Sequence, residues 1–231
     1  MKKILVLLAC LFIIPIGVNA SSFTQKDISI NIDDNKWYVF TRDNISNNDE
    51  LSELGLTYEY LKDFMNKNDI YIDAGLFDEN DESNTIELFV AIKPVENVNN
   101  LHKYSNDEIN ELGDELLKLT GAAKFDIIEN DYKYVYLEYQ DSGYNILEYY
   151  TVINGSGYTV MTQKVNAYTD ADKQEIKSIV DSISFKIDEA YEKEITKNKF
   201  DWTNVIIYAI IGGIIGGVVG LINKKKKHTT S

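Results

Sequence analysis

The sequence predicts an α+β fold in which helices cover an antiparallel β-sheet, with a transmembrane helix appended at the C-terminal end. Three observations predict it. Several stretches with apolar residues at helical spacing open on capping signals, and four strand-like segments follow one another across tight turns. Near the end, an apolar run is followed at once by a cluster of lysines. The composition agrees: 231 residues, 44% hydrophobic and 26% charged, describe an ordinary globular chain. With 13 Gly and 2 Pro, collagen-like and Pro-rich architectures are excluded, and no repeat of solenoid length is visible.

Taken in order, the first element is a signal peptide over residues 1–20. Lys2 and Lys3 form a basic start, Ile4 to Val18 an apolar core, and Val18-Asn19-Ala20 a small-residue cleavage site. The alternatives are an uncleaved membrane helix and lipidation at Cys10, whose Leu7-Leu8-Ala9-Cys10 setting has only Ile4 to Ala9 as apolar core before it. Cleavage after Ala20 leaves a chain without cysteine, hence without disulfide or thiol chemistry.

Ile28, Ile30 and Ile32 alternate with polar residues, and Trp37-Tyr38-Val39-Phe40 follows the turn-forming Asp33-Asp34-Asn35-Lys36, which predicts a first hairpin. Thr57 is an N-cap candidate for a short helix marked by Tyr60, Leu61, Phe64 and Met65. Strands are expected around Ile70 and Ile72 and across Ile86, Leu88, Val90 and Ile92, with a solvated loop at 78–84 between them. Ser105-x-x-Glu108 is a capping box for a helix carrying Ile109, Leu112, Leu116 and Leu119 and closed by Gly121. Strands at 124–129, 132–140, 144–153 and 157–166 are separated by turn residues, of which Asn154-Gly155 is the strongest hairpin signal, so a consecutive meander is expected. Thr169-x-x-Asp172 then caps a helix with Ile176, Ile179, Val180 and Ile183 on one face.

From Asp188 the chain becomes charged and weakly amphipathic, as in a stalk over residues 188–203. The 18 uncharged residues 205–222 are just long enough to span a bilayer, within a transmembrane helix over 204–222. Trp202 and Tyr208 lie at its outer edge, and Lys224 to Lys227 in the tail 223–231 are expected to stay cytoplasmic. The expected topology is a single-pass protein of the cell membrane with its domain outside and its C-terminus inside, the bilayer being one partner through residues 205–222. A GPI signal would lack the lysine tail, and no sortase-type motif precedes the span. Within the span, Gly212, Gly216 and Gly220, with Gly213 and Gly217 beside them, form the small-xxx-small pattern through which two helices pack, so a homodimer is one expected partner state. The bland alternative is that glycine is simply frequent in spans.

Charge is segregated in the same way. The chain carries −14 overall, but residues 21–204 hold all 37 acidic side chains against 17 basic ones, a net of 17 − 37 = −20. Such an acidic domain is not a nucleic-acid binder, because phosphate recognition needs a basic surface.

No catalytic constellation is recognisable. His102 is the single histidine before the span, with no nucleophile or metal spacing around it, and there is no Walker loop or His-Glu-x-x-His. Gly155-Ser156-Gly157 is better explained by a hairpin turn than by a nucleophile elbow. No cofactor or metal is expected. Asp78, Asn80, Asp81 and Glu82 offer oxygen ligands, yet Ser83 stands where an EF-hand needs glycine and Phe89 where it needs its bidentate glutamate. The unusual feature is tyrosine: Tyr132, Tyr134 and Tyr136 share one face of a strand, opposite Val135 and Leu137. If the latter pair faces the core, the three rings form an outer ladder suited to a protein or glycan; if helices cover both faces, the rings merely pack. Asn44 and Asn154 stand in Asn-x-Ser sequons, relevant only in a eukaryotic secretory pathway.

The stretch Tyr149-Tyr150-Thr151-Val152-Ile153-Asn154-Gly155, then Tyr158-Thr159-Val160, then the helix from Ile176 into Ser182-Ile183-Ser184-Phe185, resembles the ending of PsbP-like (PsbP/Mog-type) domains. The resemblance extends over about residues 25–187 and implies an α/β/α sandwich with an accessory, assembly or protein-binding role rather than catalysis. Many bacterial members are exported. It carries over no functional residue. The expected function is therefore an exported, membrane-anchored, non-catalytic interaction or assembly module with an unknown protein partner. The alternative is an extracytoplasmic hydrolase or ligand sensor with an acidic site, which two close carboxylates with opposed pKa shifts would favour.

Overall fold

A computed structural model describes residues 20–47, 49–95 and 98–193. The expected signal segment before Ala20, residues 194–203 of the expected stalk, the expected span with Gly212, Gly213, Gly216, Gly217 and Gly220, and the lysine tail lie outside the described residues. Among the described residues no helix is long and apolar enough to cross a membrane.

The chain runs β1 (Ser21–Gln25), β2 (Ile28–Ile32), β3 (Tyr38–Thr41), α1 (Glu50–Glu53), α2 (Tyr58–Lys67), β4 (Ile70–Leu76), β5 (Ile86–Pro94), α3 (Asn106–Thr120), β6 (Lys124–Glu129), β7 (Lys133–Asp141), β8 (Tyr144–Ile153), β9 (Ser156–Lys164), α4 (Asp170–Asp181), β10 (Ser184–Phe185) and α5 (Glu189–Lys193). Seven strands form one antiparallel sheet in the order β3-β4-β5-β9-β8-β7-β6, and three form a small sheet, β1-β2-β10. The expected meander is present: β6, β7, β8 and β9 are neighbours in chain order. Its two tight turns follow from backbone chemistry. Ser142 and Gly143, at φ +52 and +91, and Asn154 and Gly155, at φ +51 and +68, occupy the left-handed region that two-residue hairpins require.

The first hairpin is a correction. β2 does not pair with β3; it pairs with β1 on one side and β10 on the other, whereas β3 is an edge strand of the large sheet and pairs with β4. Residues 33–36 are a crossing between sheets rather than a hairpin loop. Trp37 and Lys36 donate their N–H groups to Asp33 O at 2.9 and 3.0 Å, which turns the chain. The alternation of Ile28, Ile30 and Ile32 fixes which side of β2 is buried but says nothing about its partner.

Two cores lie on opposite faces of the large sheet. One, under α2 and α3, packs Leu61, Met65, Ile109 and Leu116 against Phe89, Val135, Leu137 and Met161. The other, under α4 and the small sheet, packs Ile176, Ile179 and Val180 with Ile28, Ile30 and Phe185 against Leu88, Val90, Leu147 and Val160. The result is a three-layer arrangement in which a small sheet shares one layer with a helix.

Local signals fix the helices. Thr57, Ser105 and Thr169 cap α2, α3 and α4, the latter two with complete capping boxes. Gly121 ends α3 at φ +65. Gly113 lets α3 lie directly on β6, where a Cβ would meet the Phe125 ring at 2.5 Å. Arg42, the only arginine, donates to Ile70 O at 2.7 Å and to Met65 O at 3.1 Å while stacking on Tyr71, so it ties β3 to the end of α2 and to β4.

Residues 186–193, where the expected stalk begins, are docked on the domain. Lys103 Nζ donates to Tyr191 O at 2.7 Å and Glu192 O at 2.6 Å, the last carbonyls of α5. Asn100 Nδ2 donates to Glu192 Oε1 at 2.9 Å, and Asn154 binds the chain on either side of Ile187 through Lys186 O and Asp188 N.

Candidate functional site

The tyrosine ladder does not face outward. Tyr134 and Tyr136 are 2% and 5% exposed, and Tyr132 is half-buried. The small sheet and α4 cover them. Phe185 of β10 meets the Tyr132 ring edge-on at 4.8 Å, and the Tyr132 hydroxyl accepts from Phe185 N at 3.0 Å. Tyr136 packs on Tyr149 at 4.8 Å and donates to Glu138 Oε1 at 2.7 Å. Burial, then the Glu138 hydrogen bond, pushes the Tyr136 hydroxyl well above its usual value. Val135 and Leu137 face a core, as expected, but so do the tyrosines.

The acidic loop spends its carboxylates on itself. Asp78 Oδ1 accepts from the N–H groups of Asn80 and Asp81 at 2.9 and 3.1 Å, which holds its pKa below the usual carboxylate range. Asp81 caps the 3-10 turn Glu82–Asn84 by accepting from Ser83 N at 3.0 Å, and it also receives the side chain of Asn84 at 3.2 Å. Beside the loop lies a hollow of about 600 Å³ lined by Asp78, Glu79, Asn80, Lys164 and Asp172. The buried Lys164 ammonium, 2.7 Å from Asp172, places a positive charge there already. Among the described residues no group of three or more His, Cys, Asp or Glu could hold a metal ion.

His102 lies 3.3 Å from Glu192 Oε1 in the contact that docks α5. That is a structural placement.

Three other acids are fully buried, and the sequence did not single them out. Asp73, Glu87 and Glu148 have no exposure and lie on the α2/α3 face, because they pair across the ladder with Phe89, Gln163 and Met161. Gln163 Nε2 donates to Glu87 Oε2 at 2.7 Å, and the Tyr139 hydroxyl donates to Glu148 Oε2 at 2.7 Å. Desolvation pushes Glu148 up to about 8, with the Tyr139 hydrogen bond working the other way. The nearby Glu138 is shifted oppositely: burial acts against its ionisation, but Lys173 at 2.8 Å, the Tyr136 hydroxyl and Lys124 outweigh it and hold its pKa low. These two carboxylates are the opposed pair an acid–base site would need, yet they cannot cooperate. Glu148 shares a face with its partner Leu137, and Glu138 with its partner Leu147 on the other face, so the sheet stands between them.

A cleft of about 720 Å³ opens where α3 ends, β7 outruns β6, and α4 begins. Its wall combines Glu138 and Lys173 with Gln140, Asn145, Ile146 and Tyr168. Gln140 donates to Asn145 Oδ1 at 2.9 Å, and Tyr168 to Thr162 Oγ1 at 3.0 Å. Its size is within the range of roughly 300–1,000 Å³ usual for small-molecule sites.

The structure is similar to a cyanobacterial PsbP. The solution structure of PsbP from a Synechocystis species aligns with a TM-score of 0.45 and 11% identity, covering 74% of this chain and 96% of that one. No family model matches the chain, and the search of curated proteins by sequence gives no match. The described residues form a mixed α+β body of antiparallel sheets and helices.

The cleft residues come from Thr120 to Lys173, spread over α3, β7, β8 and α4 and the loops beside them. No spacing motif links Glu138 to Lys173. The one local hint was the lone Lys173 in the first turn of a helix otherwise opened by Asp170 and Asp172, where a cation is disfavoured by the helix dipole.

Proposed function

We propose that this chain is an exported, single-pass membrane protein whose acidic domain serves outside the membrane as a non-catalytic interaction or assembly module, with a protein as partner. The observation that carries the reading is the segregation along the chain: a basic-then-apolar start, a −20 domain, and an uncharged run of 18 residues ending in four lysines. Two structural features support it. Ser21, the first residue after the cleavage site, is also the first residue of β1 and pairs with Ile32, so removal of residues 1–20 would leave the strand whole. β1 and β10 both pair with β2, so the domain's first and last strands share one small sheet.

Glu138 and Glu148, the carboxylates with opposed shifts, do not form the close pair that would favour the hydrolase reading, because they lie on opposite faces. The ligand-sensor reading keeps one specific observation, the cleft at the end of β7. The test is chemical cross-linking in intact cells expressing the whole chain, with protease added outside. The reading expects the domain to be cut from outside, the lysine tail to be protected, and a recurrent protein to be captured. A chain that stays inside, or that repeatedly captures nothing, overturns it.

A further inference from the structure

The geometry points to the cleft at the end of β7 as a binding site for a neutral, hydroxyl-rich ligand, a glycan, with Glu138, Gln140 and Lys173 as its polar contacts. The inference deepens the proposed reading and rests on it in treating the domain as a binding module.

The cleft offers donors and acceptors side by side. Glu138 is held ionised between Lys173 at 2.8 Å and Lys124 at 3.8 Å, with its carboxylate also receiving the Tyr136 hydroxyl. Gln140 uses one amide hydrogen on Asn145 and keeps its carbonyl oxygen and second hydrogen. Lys173 is 39% exposed and Glu138 25%, so both can reach a ligand without breaking the core. The half-buried Tyr168 supplies apolar surface beside them, on the same face as Glu138.

That lining selects among ligands by chemistry. An anion would approach a domain with 17 basic and 37 acidic side chains, a net of −20, and be repelled. A simple cation would find Glu138 already matched by two ammonium groups. An extended peptide would need free strand edge. β6 begins opposite Glu138, and the β7–β8 turn follows Asp141, so only the peptide groups of Gln140 point to the open side. A sugar fits the remainder. Each hydroxyl both donates and accepts, so a vicinal pair can bridge a carboxylate and an ammonium, while the C–H face of the ring rests on Tyr168.

The test is titration calorimetry of the full-length chain in a sugar-free detergent, with chitotetraose and maltotetraose as probes and tetra-alanine as the peptide control. Saturable binding of at least one sugar at millimolar concentration or tighter is expected. K173M and Q140A should each weaken it ten-fold or more with unchanged melting temperature, while K62A on α2 should leave it unchanged. No saturable sugar binding, tetra-alanine binding without sugar binding, or sugar binding indifferent to both cleft variants overturns the inference. The two readings fail separately. Loss of sugar binding with protein capture intact leaves the interaction module standing, and sugar binding by a chain that stays inside the cell leaves the cleft standing.

Discussion

On the face under α2 and α3 the large sheet buries Asp73, Glu87 and Glu148 among apolar neighbours, whereas on the face under α4 and the small sheet it buries Tyr134, Tyr136, Tyr149 and Tyr158. Both faces therefore put polar atoms inside a core, by different means. A tyrosine buries a large ring and asks only that its hydroxyl find a partner or tolerate its absence. Tyr136 finds Glu138, while the Tyr134 hydroxyl meets no partner among the described residues. A buried carboxylate is costlier, because its ionised form must be matched or suppressed. Glu148 receives one hydroxyl, its Oε1 meets no partner among the described residues, and burial raises its pKa toward the neutral acid. The tyrosine face is thus insensitive to pH over the physiological range, and the carboxylate face is not.

Glu148→Gln tests that difference most strongly. The folded-state pKa of Glu148 is raised from 4.5 to about 8, so between those values the folded chain keeps a proton that the unfolded chain has released. Stability should fall as pH rises through this window, by about 1.4 kcal/mol per unit and on the order of 5 kcal/mol across it, and level off above pH 8. The glutamine variant should lose this slope and be the more stable protein at pH 8, with little difference near pH 4.5. Parallel urea-melt pH profiles for the two proteins would refute the protonated assignment.

Phe185→Ala probes the other face. The ring is wedged between Tyr132 at 4.8 Å and Tyr158 at 4.7 Å and anchors the two-residue β10. Its loss should cost about 3 kcal/mol, with no change in the pH slope. Equal losses at pH 5 and pH 8 by thermal melting would confirm that the two faces respond independently, while a pH-dependent loss would show that they are coupled.

Gly113→Ala acts where α3 meets β6. A Cβ there would meet the Phe125 ring at distances from 2.5 to 2.8 Å, so the ring or the helix must shift. The expected cost is about 2 kcal/mol, and Phe125→Leu in the same background should recover part of it by making room. No recovery would place the cost elsewhere than in this contact.

How much of this could be read from the residues depends on the range of the signal. The capping boxes at Ser105 and Thr169 and the turn at Asn154-Gly155 are complete within four residues, and each marks the element it announces. β1 escaped because Ser21–Gln25 carries a single large apolar residue, Phe23, and the pairing of β2 with β10 joins positions over 150 residues apart, as Ser29 with Ser184. The tyrosines show the limit most clearly. Alternation placed Tyr132, Tyr134 and Tyr136 on one side of β7, but what covers that side is decided by a strand contributed from residues 184–185. The cleft was hidden for the same reason, since β6 ends short of Gln140 only once the β6–β7 register is known. The segregation of charge between domain and tail, by contrast, is a property of composition and needs no pairing to be seen.

The smallest predicted effect separates local from tertiary control of the tyrosine face. Thr169 caps α4, its hydroxyl accepting from Asp172 N at 3.2 Å while Asp172 Oδ2 accepts from Thr169 N at 2.8 Å. Asp172 also holds the buried Lys164 at 2.7 Å, so the cap is tied to β9 as well as to the helix. Thr169→Ala removes the capping hydroxyl together with the γ-methyl and should cost about 1 kcal/mol, the usual value of an N-cap. The Asp172–Lys164 contact should survive, leaving α4 seated on β2 and the tyrosines covered. Amide hydrogen exchange distinguishes the outcomes. Faster exchange confined to the first turn of α4 is expected, whereas faster exchange at Tyr134 and Tyr136 would mean that the cap, not the packing of Ile176 and Val180, holds the helix over that face.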